Sequence, residues 1–138
     1  MRIQQFSVLL RNEPGVLSKI LKSLSKENIN IVGLTINENA NFGELRLVVD
    51  DPEKTKAILK DMAVSYNVVK IIVVKLPNKP GELLKIANLL SESDINIDYI
   101  YTLASTKNFG YVAIKTWNMT DTENLLKEYS IDSVEDIC

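Results

Sequence analysis

Arg11-Asn12-Glu13-Pro14-Gly15-Val16-Leu17 decides the fold, because the chain contains it twice. The second copy is Pro77-Asn78-Lys79-Pro80-Gly81-Glu82-Leu83, 66 residues on. Each copy follows an apolar, strand-like run and opens an amphipathic, helix-like run. Proline suits the first turn of a helix, since its fixed φ fits and its missing N–H would have been unpaired there. It also pushes Glu13 and Lys79 out of the helical region, so the spacing predicts helices that begin at these prolines. Glycine one step later strips the side chain from the first turn. Backbone N–H groups then lie open to a negatively charged or carbonyl group. A single copy is explained as well by a strand-to-helix turn with no ligand. Two copies in register favour a functional pair, with a duplicated structural turn as the plainer alternative.

Working outward, residues 3–10 read as a strand with Phe6, Val8 and Leu10 alternating onto one face. The helix predicted over 14–27 carries Val16, Leu17, Ile20, Leu21 and Leu24 as one stripe. Asn28 suits a left-handed cap after it. Residues 29–36 are a β-branched strand, 37–43 a polar hairpin loop, and 44–49 a third strand. Asp51-Pro52-Glu53 supplies a cap, a first-turn proline and a first-turn acid for a second helix. The apolar run 64–76 closes this half and opens the next, either as one long strand or as two with a kink near Val69 or Lys70. No Gly-, Pro- or Ser-rich linker separates the halves.

The second half repeats the plan. Residues 81–93 read as a helix, Asp94 stands where Asn28 stood, and Ile95-Asn96-Ile97 repeats Ile29-Asn30-Ile31. Asn108-Phe109-Gly110 repeats Asn41-Phe42-Gly43 with one inserted residue. Thr120-Asp121-Thr122-Glu123 reads as a capping box before a last helix, and residues 131–137 as a weak last strand. The order is strand-helix-strand-strand-helix-strand, twice. The α+β solution for it packs two helices on one face of an antiparallel sheet. The expected units are 1–68 and 69–138, each marginal alone and expected to pack on another unit.

Composition narrows the function. The chain has 138 residues, a net charge of −2, one cysteine (Cys138) and no histidine. Without histidine there is no Ser-His-Asp or Cys-His nucleophile system, and the commonest zinc ligand is missing. No catalytic residue, metal site or cofactor is predicted. No lysine cluster amounts to a nucleic-acid face, and no apolar run reaches the 18 or so residues of a membrane span. With no signal-peptide core at residues 1–6 and no possible intrachain disulfide, a cytoplasmic location is expected.

The two turns, the helix length, the Asn-Ile strand start and the duplication together resemble the ACT domain family, in particular small proteins built of two ACT domains. The resemblance covers nearly the whole chain. It implies a ferredoxin-like fold in each half and regulatory binding of a small effector, most often a free amino acid, at interfaces between ACT units. It implies contact through Asn12, Gly15, Val16 and Leu17 in one turn and Asn78, Gly81, Glu82 and Leu83 in the other. Asn30 and Asn96, at the start of the second strands, are further candidates. The chemistry is consistent: helix N–H groups suit a carboxylate, and an asparagine side chain meets either end of an amino acid.

Val16 is apolar where Glu82 is charged. Glu82 either meets a ligand ammonium or simply favours the positive helix end. Asn12 and Asn78 are either ligand contacts or helix caps. Asp50-Asp51 is better explained by capping than by metal. Two further readings stand beside the amino-acid sensor. One is a regulatory subunit of a biosynthetic enzyme, since the first half looks like the ACT unit of the acetolactate synthase small subunit. The other is a purely structural dimerisation module. Exposed sheet edges and small units favour a homodimer.

Overall fold

The computed structural model describes residues 2–11, 13–38, 42–129, 131 and 133–134. The chain divides into two compact units, Gln4–Val69 and Lys70–Ile137 with Met1–Ile3.

The first unit is built from β1 (Ile3–Arg11), α1 (Val16–Lys26), β2 (Ile31–Glu38), β3 (Phe42–Val49) and α2 (Pro52–Asp61). It ends in the opening residues of β4 (Tyr66–Pro77). β3 lies between β2 and β1 and is antiparallel to both. Phe6 faces Leu47 and Val8 faces Leu45 across the β1–β3 register, so the alternating residues of both strands share one face. That face is covered by Ile20 and Leu24 of α1 and Leu59 of α2, all fully buried. Each such side chain stabilises the unit by roughly 1.5–3 kcal/mol before entropy is subtracted. The carbonyl of Ser65, just ahead of β4, accepts a hydrogen bond from the N–H of Leu9 at 2.9 Å.

The second unit continues β4 and adds α3 (Glu82–Glu92), β5 (Ile97–Thr102), β6 (Phe109–Thr116) and α4 (Met119–Glu128). β6 pairs antiparallel with both β4 and β5. Ile72, Val74, Val112 and Ile114 meet Ile86, Leu90 and Leu126 in a second core. Beyond α4, Ser133 forms an isolated antiparallel bridge with Val74. Residues 132 and 135–137 of the strand expected over 131–137 lie outside the described residues. β4 is one continuous strand, not two with a kink.

The repeat extends to irregularities. The β2–β3 register shifts between Ile31 and Gly33, and the β5–β6 register between Ile97 and Tyr99, 66 residues on. Asn28 and Asp94 both take φ 55 after their helices. Each stop is closed by paired backbone bonds: Ile29 N–H to Leu24 O and Asn28 N–H to Ser25 O, matched by Ile95 to Leu90 and Asp94 to Ser91. No described helix is long and apolar enough to cross a membrane.

Candidate functional site

The two repeated turns differ from their sequence reading in one respect. The helices begin at Val16 and Glu82, two residues after the prolines. Pro14 and Pro80 lie in the turn, and the glycines are the N-caps. Gly15 has φ 89 and ψ −7, Gly81 φ 90 and ψ −11. This left-handed backbone is why glycine stands there: an L side chain is strained at such a φ. Space is not the reason, since a Cβ built on either glycine meets no heavy atom within 4 Å.

The four helices of the described chain start in two ways. α2 is capped by the Asp51 side chain, which accepts from Lys54 N–H at 3.1 Å. α4 is capped by Asn118, whose Oδ1 accepts from Asp121 N–H at 3.0 Å. Among the described residues, α1 and α3 have no side-chain cap bond. Their first backbone N–H groups have no intrahelical acceptor by construction, and they carry the positive end of the helix dipole. The two openings singled out by the repeat are therefore the two uncapped ones, and both glycines are exposed.

At the first opening, Asn12 lies outside the described residues. Val16 and Leu17 are half-buried, with side chains packed on the first core. Their N–H groups, not their side chains, are what they offer a ligand. No acidic residue lies in the first turn of α1.

At the second opening the chain supplies more of its own groups. Asn78 is not a cap. Its Nδ2 donates to the Thr106 carbonyl at 3.0 Å, and its N–H donates to the Asn108 carbonyl at 2.9 Å, tying the turn to the β5–β6 connection. Glu82 is buried, with a side chain 11% exposed, and meets Lys85 Nζ at 3.0 Å and Lys79 Nζ at 3.8 Å. Its carboxylate already faces two ammonium groups beside the positive helix end. Asn78, Glu82 and Leu83 line one cavity of about 250 Å³, together with Thr102, Ser105 and Tyr111.

Asn30 is placed elsewhere. Its N–H donates to Asp50 Oδ1 at 2.9 Å, and its carbonyl accepts from Asp50 N–H at 3.1 Å. It sits past the far end of α1, roughly 16 Å from Gly15 at 1.5 Å per helical residue. There it lines a separate cavity of about 290 Å³ with Leu21, Ser25 and Asn28. Asn96 is exposed at the matching place past α3. Within each unit, then, the asparagine of the second strand and the glycine turn are not brought together.

Sequence reasoning missed Lys79, Lys85 and Thr106. Lys85 stands three residues after Glu82 on α3, a spacing at which helical side chains meet, so that signal was present, whereas Lys79 lies in the turn ahead of the helix. Thr106 lies 28 residues from Asn78, and no local pattern announces the bond.

A family model for an ACT domain pair matches residues 1–137. The chain is similar to a crystallised protein from Bacteroides thetaiotaomicron at 38% identity and TM-score 0.90, covering 97% of this chain and 92% of that one. Its fold is also that of the regulatory subunit of aspartate kinase from Thermus thermophilus in its ligand-free form. The identity there is 14% and the TM-score 0.62, over 92% and 91% of the two chains. No curated protein sequence matches the chain.

Proposed function

The chain belongs to the ACT domain pair family, and from that premise we propose that it is a non-catalytic regulatory module for a free amino acid. The observation that carries this reading is the contrast among helix starts. Two are sealed by side-chain caps, and the two at the repeated Pro-Gly turns have no cap bond among the described residues and stand beside exposed glycines. A ligand carboxylate at Val16 and Leu17 N–H gains charge-assisted bonds worth about 1.5–3 kcal/mol each. The missing side chain at Gly15 lets it approach. The ligand ammonium requires acceptors, and an adjoining ACT unit of a second copy is the natural source.

The two openings are unequal. The first turn of α1 has no acid, whereas Glu82 places a carboxylate in the first turn of α3. A ligand carboxylate is therefore favoured at Gly15, and the Gly81 opening is the weaker site. Differential binding between assembled and free states then shifts assembly, or the grip on a partner enzyme of amino-acid biosynthesis.

Thermal-shift screening with the twenty amino acids tests this. At a hundred times its Kd a ligand adds about 2.7 kcal/mol of stability, a shift of several degrees. At least one amino acid should produce it, accompanied by a change in mass by light scattering. No response from the folded protein to any of the twenty would remove the proposal. A catalytic subunit copurifying with the chain would identify the partner enzyme.

A further inference from the structure

We propose that the second unit holds a further site, within itself, for an apolar or aromatic monocarboxylate, adjoining the cavity at the Gly81 turn through Leu76, Pro77 and Glu82. It is a cavity of about 770 Å³ along α3, between the end of β4 and the side chains of Tyr129 and Ile131. That volume lies within the range of roughly 300–1,000 Å³ typical of small-molecule sites. Leu76 and Leu89, both nearly buried, line it together with Ile131, while the rings of Phe109 and Tyr129 supply flat apolar faces. This composition receives a ring or a branched hydrocarbon body.

The charges specify the head group. Lys85 is already held by Glu82 at 3.0 Å. Lys75 is the other cation of the lining, and its partner is the Phe109 ring, with Nζ 4.1 Å from the centroid. A ring face is a weaker partner for an ammonium than a carboxylate. An entering carboxylate therefore gains by taking Lys75, while the ligand body covers the ring that Lys75 gives up. Glu82 and Glu92 also line the cavity, so its formal charge sums to zero. A polyanion would be set against those two acids with Lys75 alone to receive it, whereas a single carboxylate needs only Lys75. An amino acid and its 2-oxo acid share this chemistry, and the experiment separates them.

The test is isothermal titration calorimetry on the full chain with phenylpyruvate, L-phenylalanine and citrate. It is repeated on Lys75→Gln and Leu89→Trp, each checked by circular dichroism. Saturable binding of either monocarboxylate is expected, weakened about tenfold or more by Lys75→Gln and lost in Leu89→Trp. The probe that binds names the source. If Leu89→Trp does not fold, Phe109→Ala takes its place, with weakened binding expected. The proposal is overturned if neither monocarboxylate binds, if binding is indifferent to the substitutions, or if citrate binds as tightly.

Discussion

At the scale of single residues, backbone conformation and space make opposite demands at Gly15 and Gly81. Both have φ near 90, yet nothing crowds a Cβ there. Gly15→Ala and Gly81→Ala should each cost about 1–2 kcal/mol through backbone strain alone, read from urea unfolding. Gly110 also has open space but no positive φ. Gly110→Ala should stay within about 0.5 kcal/mol. Equal losses at all three positions would show that φ is not the cause. The converse case is Ala63, which follows α2 with φ 55 where glycine is preferred. Ala63→Gly should raise stability by about 0.5–1 kcal/mol, because relieved strain exceeds the added chain entropy. A fall in the urea midpoint would contradict that.

At the scale of elements, the helix starts show how far local pattern carries. Asp51-Pro52-Glu53 was legible because cap, proline and acid all agree, and Asp51 does accept from Lys54 N–H. Thr120-Asp121-Thr122-Glu123 matches a capping box, yet α4 starts two residues earlier, at Met119. Asn118 is the cap, 67 residues after Asp51, so the repeat held a better signal than the motif did. Thr122 instead donates to the Asn118 carbonyl at 2.8 Å and lies 2.8 Å from Thr116 Oγ1, both threonines buried. Glu123 is drawn away by Arg2 at 2.7 Å, a partner no local motif reveals. Asn118→Ala should lower stability by about 1 kcal/mol, and Thr120→Ala by much less. Thermal melts of the pair check this, and a larger loss at Thr120 would restore the motif reading.

The prolines show the same limit. Proline's fixed φ suits the first helical turn, but it equally suits the turn before it. Only the left-handed glycine after it separates the two cases, and a sequence does not print φ.

At the scale of the molecule, duplication made the fold legible. Strand-helix-strand-strand-helix order appears in both halves, with cores built from the stripes read at helical and alternating spacing. The candidate site was legible in part. Each turn could be read within one short stretch, whereas the Asn78–Thr106 tie and the remote placement of Asn30 depend on chain folding over tens of residues. Asn30 and Asn96 join a glycine turn only if a different unit brings them. With a second copy supplying that unit, a homodimer is expected in the presence of effector, and light scattering that found a monomer under saturating amino acid would contradict it.

The central claim is that an uncapped helix opening beside Gly15 receives a ligand carboxylate. Its most direct test is a crystal structure of the full chain grown with the amino acid that stabilises it most. Density is expected beside Gly15, with carboxylate oxygens within about 3 Å of the Val16 and Leu17 N–H groups. An amino acid bound elsewhere, with that opening left to solvent, would contradict it.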